Sequence, residues 1–226
     1  MKAPGPLFIT FEGGEGAGKT TQIVHLAGWL AERGVACTLT REPGGTDLGR
    51  KIRAILLDPG HAGMAPETEL LLYMADRAEH IGTVIRPALA NGQTVLCDRY
   101  FDATLVYQGA ARGLPADRIL SLHALMFDNL SPDVTLLLDL PVEIGLARAR
   151  RQLSKGARLR KESRFEDEAL HFHERVRAGY LELARQHSAR FRVIDAVADE
   201  ACVKADIERA VAPFLSLFTT RGGRHP

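Results

Sequence analysis

Cysteine is scarce in this 226-residue chain: Cys37, Cys97 and Cys202 stand far apart, with no C-x-x-C pair and no Cys/His metal spacing. That excludes a disulfide-stapled secreted scaffold and a zinc module, and a reducing cytoplasm is the expected location. Cys97 ends the apolar run Thr94-Val95-Leu96-Cys97 and is expected to pack as a small buried hydrophobe. Long apolar runs are also missing. None approaches the ~20 residues of a membrane span, and the N-terminal residues lack the apolar core of a signal sequence, so no membrane partner is expected. Charge of one sign is lacking too. With 29 Lys and Arg against 28 Asp and Glu, the formal net charge is +1, which gives no whole-molecule field for binding nucleic acid. What remains, 46% hydrophobic and 25% charged, is the composition of an ordinary globular protein, and the length suits one α/β domain over 1–226.

Glycine is plentiful, and its placement is informative. Gly13-Gly14-Glu15-Gly16-Ala17-Gly18-Lys19-Thr20 fits G-x-x-x-x-G-K-[ST], between an apolar run at 7–11 and a helical pattern over 21–33. Glycines let the backbone curl so that several N–H groups converge on phosphate oxygens, and the following helix N-terminus adds positive potential. Lys19 can reach the β and γ phosphates, and the Thr20 hydroxyl can ligate Mg²⁺. A plain glycine turn would need neither the lysine nor the threonine.

Strand candidates at 7–11, 35–40, 94–97, 134–138 and 191–194 alternate with helical patterns, so a parallel sheet covered by helices on both faces is expected. The clearest helix spans 66–90, where Leu71, Met74, Ala78, Ile81, Ile85 and Leu89 recur at steps of three and four. Ligands collect at the carboxyl ends of such strands. Three polar segments lie there: the glycine loop, Arg41-Glu42-Pro43-Gly44-Gly45-Thr46, and Asp98-Arg99-Tyr100. Residues 219–226 read as a disordered tail.

Asp98 ends an apolar strand, where a carboxylate can hold Mg²⁺ or its water; Asp139, ending the fourth strand, competes for that role. Arg41, Arg53, Arg77 and Arg99 fall near the same rim, and guanidinium forks suit phosphate oxygens. Residues 148–164 carry Arg148, Arg150, Arg151, Lys155, Arg158, Arg160, Lys161 and Arg164 against one acid, Glu162. Lacking the interleaved aromatics of a nucleic-acid surface, the stretch reads as a basic lid closing on a triphosphate. Tyr73 and Arg77, at i and i+4, share a helix face and could stack on a base and bond its carbonyl edge; Gln108 is a further amide able to read a base. His25, His80 and His123 have no spacing that suggests a metal or a triad and are left as structural or surface residues.

Together these pieces resemble the thymidylate kinase family. The ordered set is Phe11-Glu12-Gly13-Gly14-Glu15-Gly16-Ala17-Gly18-Lys19-Thr20-Thr21, Arg41 to Thr46, Ala75-Asp76-Arg77-Ala78-Glu79-His80, Asp98-Arg99-Tyr100 and Tyr107-Gln108-Gly109. The resemblance implies a P-loop fold with a five-stranded parallel sheet and a lid over about 148–166, phosphorylation of dTMP to dTDP, ATP as donor, Mg²⁺ on Thr20 helped by Asp98, and a homodimer. Gly13 to Thr21 would bind ATP. Glu15 would meet the dTMP sugar, Tyr73 the thymine face and Arg77 its carbonyl. Arg53 and Arg99 would hold the dTMP phosphate; Thr104 and Gln108 would lie near the base, and Tyr107 would crowd the 2′ position. Lys19, Arg99, Arg150 and Arg164 are the expected catalytic residues, the last two from the lid. Two positions depart from the family pattern: Ala103 replaces a frequent serine, and Ser163 stands where aspartate is usual. A kinase for another small acceptor is the nearest rival. A GTPase-type switch is disfavoured, since no Asn-Lys-x-Asp guanine-reading motif occurs.

Overall fold

The computed structural model describes residues 5–154 and 163–218. The middle of the basic stretch (Lys155, Arg158, Arg160, Lys161 and Glu162) and the expected tail at 219–226 lie outside the described residues. Five strands, β1 (Phe8–Glu12), β2 (Cys37–Arg41), β3 (Thr94–Asp98), β4 (Val134–Asp139) and β5 (Phe191–Asp195), form one parallel sheet in the order β2-β3-β1-β4-β5. Each strand runs one residue beyond its apolar pattern and ends on an acid or an arginine, delivering charge to the carboxyl rim. The inner strands are buried almost throughout, as runs without polar alternation require. The edge strands are half-buried, with Leu39 and Val193 facing outward.

Successive β1 side chains point to opposite faces. Ile9 and Phe11 join Ile23, Leu26 and Leu30 of α1 (Lys19–Ala31) and Val203, Ile207 and Val211 of α9 (Glu200–Phe218). Phe8, with Val95 and Cys97, packs against helices on the other face. These are α3 (Pro66–His80), continued by a π-helical stretch (Ile81–Ile85) into α4 (Arg86–Ala90), and α6 (Ala116–Phe127). Between them runs α5 (Phe101–Thr104), which widens into a second π-helical stretch (Leu105–Ala111) packed on α8 (Leu170–Gln186). The remaining α-helices among the described residues are α2 (Asp47–Leu57) and α7 (Val142–Ser154).

The 66–90 helix thus exists, and Met74, Ile81 and Ile85 of its apolar stripe are buried in the core, but polar residues share the inward face. Leu71 is 60% exposed, while Glu69, Asp76, Arg77 and His80 are buried. Polar groups occupy the inward face because α3 walls a polar recess, and a hydrophobic periodicity cannot register that. Pro87, which has no N–H to donate, falls just after the π-helical stretch, within the first turn of α4. Pairing of Phe11 and Arg41 with Asp98 brings the ends of β1, β2 and β3 to one edge.

Candidate active site

The glycine loop takes the shape its sequence suggests. Gly13, Gly16 and Gly18 hold positive φ of 134°, 67° and 90°. Close approach is the second reason for glycine: a Cβ on Gly16 would meet the Gly145 carbonyl at 2.1 Å, and one on Gly145 would meet the Glu15 carbonyl at 2.4 Å. Lys19 curls back, its Nζ donating to the carbonyls of Gly13 (3.0 Å) and Gly14 (2.9 Å). Burial, with the Arg99 charge adding to it, lowers the Lys19 pKa to about 8. Thr20 Oγ1 donates to Asp98 Oδ2 at 3.0 Å, and Arg41 lies 4.0 Å from the same carboxylate. Asp139, the rival acid, is held by two bonds of 2.8 Å from Arg177, which engages both its oxygens away from Thr20.

Beside the loop lies a recess of about 570 Å³ whose walls include residues 15–21, Arg41, Arg53, Tyr73, Arg77, Asp98, Arg99, Thr104, Tyr107 and Gln108. Nearly every expected ligand residue therefore shares one cavity. Arg99 sits on left-handed backbone (φ 69°), uncommon for a residue with a Cβ. Its N–H donates to the Phe11 carbonyl at 3.0 Å, and its carbonyl accepts the Cys97 thiol. Arg99 Nη2 donates to Glu15 Oε1 at 2.8 Å, Tyr107 donates to the same oxygen at 3.2 Å, and Arg99 Nη1 reaches the Tyr180 hydroxyl at 3.2 Å. Arg53 bonds the Pro43 carbonyl, and Tyr73 is half-buried at the rim of the cavity. The Arg77 guanidinium, 1% exposed, donates to Glu42 at 2.8 Å and to Thr104 Oγ1 at 2.9 Å. Burial works against the Glu42 carboxylate, but Arg77 and His80 outweigh it and hold its pKa below the usual range.

The two lid arginines are placed differently. Arg150 is exposed on α7. Arg164 is buried, donating to the Leu56 carbonyl and to Glu69, and does not reach the glycine loop. Its expected catalytic role does not fit that placement, because a guanidinium pinned between a carbonyl and a buried carboxylate is not available to a phosphate. Arg148 likewise bonds the Ala196 carbonyl at 2.8 Å.

Several buried residues escaped the sequence reading. Glu12, at the end of β1, accepts from Tyr100 N–H (2.8 Å) and from the Tyr180 hydroxyl (2.7 Å), so it underlies Arg99. Glu42 holds both Arg77 and His80, and Asp102 accepts two bonds from Arg190. Glu42 lies in the segment Arg41 to Thr46 and Glu12 directly before the glycine loop, and a carboxylate at a buried strand end was the available signal.

A thymidylate kinase family profile matches residues 11–207. The chain belongs to the thymidylate kinase family. It is 53% identical over 195 residues to the thymidylate kinase of Desulfosudis oleivorans, covering 86% of this chain and 91% of that relative. Against the thymidylate kinase of Geobacter sulfurreducens it is 55% identical over 188 residues, covering 83% and 88%. The crystal structure of thymidylate kinase from Ehrlichia chaffeensis superposes with a TM-score of 0.73 at 33% identity, covering 92% of this chain and 99% of that one. As a thymidylate kinase family member the protein is an enzyme, a nucleoside monophosphate kinase on a P-loop fold. Among the described residues no helix is long and apolar enough to cross a membrane.

Proposed function

We propose that this enzyme converts dTMP to dTDP by direct in-line transfer of the γ-phosphoryl group of ATP. The observation that carries the reading is the contact between Glu15 and Arg99: a carboxylate from within the phosphate loop meets a cavity-lining guanidinium at 2.8 Å and also accepts from Tyr107. Donor and acceptor sites then share one wall. The loop N–H groups and Lys19 would hold the ATP phosphates, while Arg99 and Arg53 hold the dTMP phosphate. Tyr73, Arg77, Thr104 and Gln108 would surround the base. Glu15 would meet the sugar, and Tyr107 would crowd its 2′ position.

The phosphate of dTMP is largely dianionic at neutral pH, its second pKa being about 6. One of its oxygens attacks the γ-phosphorus, the bond to the β–γ bridging oxygen breaks, and ADP leaves; no protein base is required. The obstacle is the approach of two polyanions, and buried Lys19 with half-buried Arg99 and Arg53 would meet it by positioning and charge. Thr20 and Asp98 fit Mg²⁺: both are oxygen donors, 3.0 Å apart, and the ion is commonly held by one or two protein oxygens together with phosphates and waters. Mg²⁺ held there would supply charge neutralisation for the donor phosphates. Of the lid arginines, exposed Arg150 is assigned to the phosphates, and Arg164 is a positioning residue through Glu69. The exposed Leu71 (60%), Leu125 (79%) and Met126 (59%), on the neighbouring helices α3 and α6, support the expectation of a homodimer.

An ADP-release assay with dTMP, dUMP, dCMP, AMP and GMP tests the reading. dTMP is expected to be preferred, and Lys19→Met to lower kcat by at least about 100-fold. Preference for a purine, or wild-type turnover in Lys19→Met, would refute it.

A further inference from the structure

Glu69, in the first turn of α3, is fully enclosed, yet three side chains from two separate parts of the chain donate to it. Gln108 Nε2 reaches Oε1 at 2.6 Å from the π-helical stretch. Arg112, just after that stretch, lies 3.4 Å from both carboxylate oxygens, and Arg164 donates to Oε2. Arg112 also pairs with Glu168 at 2.6 Å. A carboxylate between two guanidinium groups only accepts hydrogen bonds, so the Gln108 amide has to turn its NH₂ toward Glu69. Its oxygen is thereby left on the opposite edge of the amide plane. Gln108 lines the cavity beside Thr104 and Arg77, and among the described residues no side chain donates to that oxygen.

We propose that Glu69 is a specificity-positioning residue: by fixing the Gln108 amide it gives the base site an acceptor, and so selects a pyrimidine with a donor at N3 over one with an acceptor there. Thymine and uracil carry N3–H; cytosine presents a bare N3. The inference rests on the reading of Gln108 as a base contact. An untethered glutamine can rotate its amide and serve either partner, whereas a tethered one leaves a buried acceptor facing an acceptor when cytosine binds, and sites built around a hydrogen bond reject such analogues strongly.

The test compares kcat/KM for dTMP, dUMP and dCMP in wild type, Glu69→Gln, Gln108→Ala and the double variant. Glu69→Gln should lower the dTMP-to-dCMP ratio at least about 10-fold while changing the dTMP-to-dUMP ratio less than about 2-fold, because both of those bases carry N3–H. In the Gln108→Ala background Glu69→Gln should change neither ratio further. General damage to α3 would move all three substrates together. If Gln108→Ala lowers the dTMP-to-dCMP ratio and Glu69→Gln does not, the positioning role is wrong. If Gln108→Ala leaves that ratio unchanged, the base-contact reading fails, and this inference with it.

Glu69→Gln removes the charge facing buried Arg164 and can fail to fold, so the tether is also read in the wild-type enzyme. With ¹⁵N-glutamine labelling the chain shows only five side-chain amides, and Gln108→Ala identifies the relevant one. One NH₂ proton shifted strongly downfield of the ordinary side-chain amide range is expected. Both protons at the shifts of a mobile glutamine side chain would overturn the proposal.

Discussion

Glu12 offers a thermodynamic test of the platform beneath Arg99. Burial, reinforced by the Asp102 carboxylate, raises its pKa from 4.5 to about 8, although Arg99 and its hydrogen-bond donors pull the other way. Between those two pH values the unfolded chain has lost this proton and the folded protein has kept it. Stability therefore falls as pH rises through the window, by about 1.4 kcal/mol per pH unit, to an upper bound of about 5 kcal/mol at pH 8. Glu12→Gln keeps the size and the acceptor for Tyr100 N–H, turns an NH₂ toward the Tyr180 hydroxyl, and cannot titrate. Urea denaturation of both proteins from pH 5 to pH 8 should give converging or crossing curves, the variant gaining on wild type at each step. Other groups titrate in both proteins, including His123, whose pKa burial lowers to about 4, and they cancel in the difference. Parallel curves, with a constant gap from pH 5 to pH 8, would refute the reasoning and show Glu12 ionised in the fold.

Three further substitutions address the site. Asp98→Asn is expected to raise the Mg²⁺ concentration for half-maximal activity about 10-fold, while Asp139→Asn, whose carboxylate is engaged by Arg177, leaves it unchanged; a Mg²⁺ titration of initial rates decides. Glu15→Gln removes the charge from the Arg99 contact and should raise KM for dTMP about 10-fold and for ATP less than about 2-fold, and equal rises for both substrates would count against a shared wall.

The strands were legible because parallel strands buried on both faces advertise themselves as short apolar runs, and each was located to within about two residues of its ends. The glycine loop was legible because its geometry demands glycine at fixed positions. The interior polar network was not. Glu12, Glu42, Glu69 and Asp102 find Tyr180, Arg77, Arg164 and Arg190 across the chain, and local spacing carries no trace of such pairings. Arg164 shows the cost of reading charge by neighbourhood: within a basic stretch it resembled its companions, yet a buried acid on α3 claims it. In the Asp98 and Asp139 rivalry, the contact that engages the Asp139 carboxylate likewise comes from Arg177 on a distant helix.

The close approach of Gly16 and Gly145 makes the phosphate loop and the first turn of α7 a single mechanical part. Their backbones touch with no side chain between them, so neither can be reshaped by repacking. Each already faces a residue of minimal size, and no second substitution can restore room lost at the first. A residue inserted between Val142 and Gly145 would distort the loop as surely as a change within it. The glycine requirement of the loop therefore extends to Gly145, more than a hundred residues beyond the G-x-x-x-x-G-K-[ST] segment.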